Sequence, residues 1–233
     1  MSAPRRPLVS IVIPVLNEAA TLPSLLDRLA ELEGSFELIV VDGDSIDATA
    51  DQAAAHPVRP SVVHSHRGRA RQMNAGARAA RGHALLFLHA DTRLPLNAYA
   101  TLASALEDPT VIGGNFRLRF DGADRFSRLL SAWYALQRRA GIYYGDSAIW
   151  LRASAFERLG GFKPLAIMED YDLVCGLERA GTTVCLPGPV LTSARRWQRL
   201  GLTRTIASWI LIRWLFIAGA SPARLARLYP HVR

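Results

Sequence analysis

Leu85-Leu86-Phe87-Leu88-His89-Ala90-Asp91-Thr92 is the stretch on which the fold turns. Its four leading apolar residues read as a strand buried on both faces, and the strand ends in a lone carboxylate and a turn. In an open α/β sheet, ligands collect just beyond the carboxyl ends of the strands. Asp91 is therefore expected at that edge, carried there by a rigid element and able to hold a cation against a phosphate.

Upstream, the pattern repeats. Val9-Ser10-Ile11-Val12-Ile13 is a β-branched run closed by Pro14 and Asn17, and the spacing predicts an amphipathic helix from Ala20 to Leu32. Phe36 to Val41 reads as a second strand ending in Asp42-Gly43-Asp44-Ser45, and Asp47 puts an acid in the first turn of the next helix. Ser61 to His64 reads as a third strand, Ala70 to Ala80 as a third helix and Ala84 to Leu88 as the fourth strand. Such alternation implies a parallel sheet joined by right-handed crossovers. Beyond Glu107 the pattern loosens. Gly114–Phe120, Ser147–Leu151 and Thr183–Leu186 read as strands, and Arg125–Arg139 and Glu169–Ala180 as helices, with Gly181 as a stop signal.

The chain has 233 residues, half of them hydrophobic, enough for one large α/β unit. Cys175 and Cys185 are the only cysteines, which excludes a disulfide framework and makes a reducing, cytoplasmic setting the expectation. The net charge of +8 is unevenly placed. No Asp or Glu follows Glu178, while residues 179–233 carry nine arginines; residues 1–178 hold 19 basic and 20 acidic side chains. A basic final quarter favours an anionic partner: a membrane surface, a phosphate-bearing substrate or nucleic acid.

Three strand ends carry polar groups: Asn17-Glu18, Asp42-Gly43-Asp44 and His89-Ala90-Asp91. Any one could simply cap a helix or make a turn. As a set they should lie on one edge of the sheet, where a nucleotide would sit. No glycine-rich dinucleotide or P-loop fingerprint is present, so phosphates must be met otherwise. The candidates are a cation at Asp91 and the arginine-rich stretch Arg67-Gly68-Arg69-Ala70-Arg71-Gln72-Met73-Asn74, in which Arg67 and Arg69 flank a glycine just before a helix start with free backbone donors. Glu169-Asp170 opens a helix, which leaves Asp170 as either a catalytic base or an N-cap. Asp146, after Tyr143-Tyr144-Gly145, is a substrate contact or a turn residue.

Taken in order, these segments resemble the family 2 glycosyltransferases, an inverting group with the GT-A fold, and within it a small single-domain bacterial subgroup. The likeness covers about residues 8–190. It rests on Val9 to Glu18, Val41-Asp42-Gly43-Asp44-Ser45, Met73-Asn74 with Gly76, Phe87 to Asp91, Gly160-Gly161-Phe162 and Met168 to Leu173. The resemblance implies a Rossmann-like, mainly parallel sheet flanked by helices, with a C-terminal helical segment. It implies a transferase domain over residues 1–200, with a nucleotide-sugar half (8–107) and an acceptor half (108–200), followed by a basic segment (201–233). Pro14, Asn17, Glu18, Asp42 and Asp44 would line the base and ribose pocket, with Arg67, Arg69, Asn74, His89 and Ala90 also on the donor. Asp91 would bind a divalent metal, Mn²⁺ or Mg²⁺, bridged to the diphosphate, and Asp170 would deprotonate the acceptor. Asp146, Glu169, Arg196 and Trp197 would stand on the acceptor side. Two departures are visible: His89 replaces the first acid of the metal motif, and the glutamine that precedes the Arg-Trp pair in processive members is absent.

The expected partners are a nucleoside diphosphate-sugar, UDP-sugar first, and a small or lipid-linked acceptor, with no nucleic acid; a homodimer is also compatible. Ile206 to Ala220 is apolar on nearly every face but too short to span a bilayer comfortably. It should pack on the domain, on a second subunit, or on anionic lipid at the inner face of the membrane. Two other functions fit parts of the pattern. A sugar-nucleotide nucleotidyltransferase would need a glycine-rich, lysine-containing first loop in place of Val15-Leu16-Asn17-Glu18. A basic nucleic-acid-binding protein would leave the strand-end acids unexplained.

Overall fold

A computed structural model describes residues 9–122, 125–192 and 202–228. Its frame is one eight-stranded sheet: β1 (Val9–Val15), β2 (Phe36–Asp42), β3 (Ser61–His64), β4 (Ala84–Phe87), β5 (Thr92–Arg93), β6 (Val111–Phe120), β7 (Trp150–Arg152) and β8 (Thr182–Thr192), in the order β3-β2-β1-β4-β7-β6-β8-β5. The first four strands are parallel. From β4 onward the direction alternates: β4–β7, β7–β6 and β8–β5 are antiparallel and β6–β8 is parallel. The parallel sheet expected from the alternation thus describes one half, and the other half is mixed.

Both faces of the parallel half are covered, which explains its unbroken apolar runs. Ile11, Ile13, Leu38, Val40, Leu86 and Leu88 point to a core shared with α1 (Leu22–Ala30), α4 (Ala98–Glu107) and α5 (Arg125–Arg139). Val12, Ile39, Val41, Leu85 and Phe87 point the other way, to α3 (Arg69–Ala79), α6 (Ala153–Arg158) and α7 (Glu169–Ala180). Helix α1 buries Leu22, Leu25, Leu26 and Leu29. This spacing lines one helical face, and each buried leucine contributes about 2 kcal/mol of transfer free energy. Helix α3 lies close over β1 and β2 because Gly76 has no side chain; a Cβ there would sit 2.3 Å from Val12 and 2.8 Å from Val41. Helix α2 (Thr49–Ala55) completes this half.

Three local features depart from the expectation. Helix α4 forms without a sequence signal at its end; Arg152 supplies one from afar, donating to the carbonyls of Leu106, Asp108 and Val111 at 2.8–2.9 Å. Strand β8 runs through Pro187-Gly188-Pro189 to Thr192, its register against β6 shifting between Phe116 and Leu118. Strand β7 begins only at Trp150, since Gly145–Ser147 form a 3₁₀ turn. The chain ends in α8 (Leu202–Ile217) and α9 (Pro222–Leu228).

Candidate active site

Strands β2, β1 and β4 are adjacent and parallel, so their carboxyl ends share one edge. Asp42 closes β2, and the Asn17-Glu18 and His89-Asp91 segments follow β1 and β4. Asn17 adopts φ 54° and is stitched to the loop after β2: its backbone N–H donates to Ser45 Oγ at 2.9 Å, and its Oδ1 accepts from Ile46 N–H at 2.9 Å. Glu18 N–H donates to Thr49 Oγ1 at 2.8 Å, and Glu18 Oε2 accepts from Thr21 at 2.5 Å. Pro14, half-buried, stands in register with Val41, so the two loops leave the sheet side by side. Gln72 locks them from beneath, donating to the carbonyls of Val15 at 2.7 Å and Val41 at 3.0 Å. The sequence reading had no role for Gln72; its burial inside an arginine-rich helix is the signal.

Asp42 is 3% exposed. One carboxylate oxygen accepts from Ser45 N–H at 3.1 Å, and the other, Oδ1, is buried with no hydrogen-bond partner among the described residues. Leaving such an atom unpaired costs about 1–3 kcal/mol, so an arriving donor group would be bound strongly. Asp44, at φ 60°, stands out in solvent 3.5 Å from His66. Arg67 is exposed beside Gly68, at the start of α3.

Acids from both halves act on Arg69. This half-exposed side chain reaches Glu169 at 3.4 Å. Desolvation opposes its charge, but the fields of Glu169, Asp170, Asp91 and Asp146 outweigh it and hold the guanidinium above its ordinary pKa. Four carboxylates from a strand end, a 3₁₀ turn and a helix start therefore act on one cation. Glu169 is buried; desolvation raises its pKa, Arg69 opposes and Asp170 adds to the rise.

Asp170 is not an N-cap. Met168 holds that position at φ 69°, and Asp170 lies inside the first turn of α7. Its Oδ2 accepts from Gly145 N–H at 2.8 Å and its Oδ1 from Tyr171 N–H at 2.7 Å. Gly145 lets it meet His89: a Cβ at 145 would lie 2.9 Å from His89 Nε2 and 3.2 Å from Asp170 Oδ2. His89 from β4 and Asp170 from α7 thus face the same glycine. Around them stand aromatic residues that sequence reasoning missed. Tyr144 stacks on Tyr171 at 5.7 Å, and Tyr134 hydrogen-bonds Asp146. Burial, eased by Arg213, pushes the Tyr144 hydroxyl up to about 12.

A polar cavity of about 320 Å³ opens on the other flank of Asp91, lined by Thr21, Ser24, Arg28, Ala90, Arg93, Asp121 and Thr192 among others. Asn74 is held apart from this space. Its amide donates to the Phe162 carbonyl at 2.8 Å and accepts from Phe162 N–H at 2.9 Å. Arg196 and Trp197 lie outside the described residues.

A half-parallel, half-mixed sheet flanked by helices matches the fold of GT-A glycosyltransferases. The chain belongs to glycosyl transferase family 2, whose family model matches residues 10–163. Over 159 residues it is 36% identical to an undecaprenyl-phosphate 4-deoxy-4-formamido-L-arabinose transferase of Pseudomonas aeruginosa, covering 63% of this chain and 46% of that protein. The chain spans less than half the length of the curated relatives it matches. A mannosyltransferase from Pyrobaculum calidifontis, solved with GDP-Man and Mn²⁺, superposes with a TM-score of 0.67 at 25% identity, over 94% of this chain and 66% of that one. A glucosyl-3-phosphoglycerate synthase from Mycobacterium tuberculosis, solved with Mn²⁺, UDP and phosphoglyceric acid, has the same fold at TM-score 0.62 and 19% identity, over 92% and 79% of the two chains. Membership in this family replaces both the nucleotidyltransferase and the nucleic-acid readings.

Proposed function

We propose that this protein transfers a sugar from a nucleoside diphosphate-sugar to an acceptor hydroxyl or carboxylate with inversion, with Asp170 as general base. The observation that carries this reading is the meeting of His89, which follows β4, and Asp170 of α7 at Gly145, whose N–H donates to Asp170 Oδ2 at 2.8 Å. Asp42, with its unpartnered buried oxygen, takes a donor group of the nucleotide. Pro14, Asn17, Glu18 and Asp44 frame that pocket, and Arg67, Arg69, His89 and Ala90 line the path of the diphosphate. Asn74 positions the Phe162 loop. The acceptor hydroxyl loses its proton to Asp170 as its oxygen bonds to the anomeric carbon, and the bond from that carbon to the diphosphate breaks. A single displacement of this kind inverts the anomeric centre.

The donor set suits a divalent cation. Among the described residues no cluster of three or more His, Cys, Asp or Glu is placed to hold a metal. Asp91 with His89 would supply two ligands and leave the rest to diphosphate oxygens, a pattern natural to Mg²⁺ and, with an imidazole, to Mn²⁺. When bound, the cation would offset negative charge on the leaving diphosphate. UDP- and GDP-sugars are the donors to try first, because proteins of this fold bind UDP and GDP-Man. A lipid-linked acceptor agrees with the undecaprenyl-phosphate transferase relative, and an anionic membrane surface on the cytoplasmic side is the partner that the basic C-terminal quarter suits.

Calorimetry of UDP- and GDP-sugars with and without Mn²⁺ tests the reading. The parent should bind one class of donor more tightly with Mn²⁺, and Asp91→Ala should lose that gain. Equal binding by Asp91→Ala in Mn²⁺ would remove the metal assignment.

A further inference from the structure

The two helices that wall the acceptor side also carry an apolar surface exposed among the described residues. Tyr134 of α5 meets Trp209 of α8 edge to face at 6.1 Å, and Arg213 of α8 donates to Gln137 of α5, so the helices lie side by side. Their inner faces are spent on the domain. Ile212 is buried with Met168 and Tyr171, and Phe216 packs on the Tyr171 ring. The outer faces are not spent. Leu129, Trp133 and Leu136 recur at helical spacing on α5, and Ile210, Trp214 and Ile217 on α8; all six are exposed, Trp214 at 61% and Leu129 at 68%. Each stripe runs beside the seam: Trp133 and Leu136 precede the contact residues Tyr134 and Gln137, and Ile210 and Trp214 follow Trp209 and Arg213. The stripes therefore form one patch astride the α5–α8 groove.

Charge identifies what covers it. Helices α5, α8 and α9 contain eight arginines and no acidic residue. Arg138 turns inward to Asn115 and Thr183, while Arg125, Arg128, Arg139, Arg204, Arg224 and Arg227 are exposed. A two-fold contact with a second copy would set these guanidinium groups against their own kind with no carboxylate on the three helices to pair them. An anionic lipid surface meets both properties, taking the indoles at headgroup depth and the arginines at the phosphates. Helix α8 would lie on such a surface and not cross it. Its 16 residues span about 24 Å, short of a hydrocarbon core of about 30 Å, and among the described residues no helix is long and apolar enough to cross.

We propose that α5 and α8 together form a platform that docks the protein on an anionic bilayer and presents the acceptor side of the site to the headgroups. The second clause rests on the glycosyl-transfer reading. The link is physical: Tyr134 on the inner side of α5 hydrogen-bonds Asp146, and Arg213 of α8 hydrogen-bonds Tyr144, which stacks on the residue following Asp170. The base is thus linked to the platform through the Tyr144–Tyr171 stack and the Tyr171–Phe216 contact.

Flotation of the full chain with vesicles tests this. The parent should float with vesicles containing about one third phosphatidylglycerol, stay behind with pure phosphatidylcholine, and detach as salt rises. Its tryptophan emission should move to the blue on binding. The double substitution Trp133→Gln with Trp214→Gln should weaken anionic-vesicle binding about tenfold or more, each indole losing roughly half of its burial in lipid. Arg128→Gln with Arg204→Gln should weaken it about fivefold per charge. Both pairs lie on the surface away from the donor pocket, so unchanged nucleotide-sugar affinity and unchanged circular dichroism show that the fold is kept. No flotation of the parent, or equal flotation of the tryptophan variant, would overturn the platform. A dimer in sedimentation velocity that the tryptophan substitutions dissociate would overturn it in favour of a second copy. Vesicle binding by a parent that binds no nucleotide sugar would uphold the platform and remove the transfer reading alone.

Discussion

Asp170 keeps both carboxylate oxygens hydrogen-bonded to backbone N–H groups, which fixes the carboxylate plane while leaving lone pairs free to take a proton. Asp170→Asn keeps the side chain's size but removes its charge and turns an amide –NH₂ toward one of the two backbone N–H groups. We expect it to retain donor affinity in calorimetry and to lose transfer by about 10²–10⁴-fold in a sugar-release assay; undiminished turnover would exclude it as base. Gly145 tests the same geometry from the other side. Its backbone is outside the left-handed region, so alanine is tolerated by the chain, but the added methyl meets His89 and Asp170. Gly145→Ala should fold with a near-parental melting curve and transfer about 10²-fold more slowly, since a displacement of about 1 Å at a reacting group has that effect. The places of the site's carboxylates in the fold were legible in the sequence. Asp42 closes β2, Asp91 follows β4 and Asp170 lies in the first turn of α7, three elements whose pattern was plain. Gln72, Tyr134 and Tyr144 were not legible, because their roles depend on which helix crosses which strand end.

Elements follow the same division. Strands β1, β2 and β4 announce themselves because a strand covered on both faces is apolar at nearly every position. Strand β8 is announced only over Thr183–Leu186, since the prolines that follow argue against a strand until β6 is seen to accept them with a shifted register. Helix α4 likewise depends on Arg152, more than forty residues away in sequence. Glu37 on β2 is another long-range tie, accepting from Ser10 Oγ at 2.7 Å and from Arg81 N–H and Nε at 2.5 and 2.9 Å. Burial works against its charge, but the Ser10 and Arg81 hydrogen bonds outweigh it and hold the carboxyl below its ordinary 4.5. A pKa lowered by folding adds stability that is fully present above the unfolded value and is lost as pH falls through the folded one. Glu37→Gln should therefore lower stability by about 1–2 kcal/mol in urea titrations near neutrality, a figure reduced by the exposure of Arg81. The gap between parent and variant should close as pH is taken below 4.5. A gap unchanged down to pH 3 would mean that the carboxylate charge does not matter.

The whole molecule must hold two halves in one register, because Asp91 leaves β4 and Asp170 arrives on α7. The sheet joins them through β4–β7, only three residue pairs long. Above it, Asn74 on α3 grips the Phe162 backbone by both its N–H and its carbonyl, and the Phe162 ring stands edge-on to Phe87 of β4 at 4.8 Å. The segment from Phe162 to Met168 then leads into the first turn of α7. Asn74→Ala would leave two part-buried backbone groups unsatisfied, costing about 2–3 kcal/mol, and for a chain of this size a Tm lower by about 4–12 °C. Because the nucleotide loops are stitched independently through Asn17, Ser45 and Gln72, donor KM should change little while kcat falls. Asn74→Asp, which can still accept from Phe162 N–H but cannot donate to its carbonyl, should fall between parent and alanine in both measurements. A rise in donor KM with kcat and Tm preserved would return Asn74 to the donor pocket and show that the halves keep their register without it.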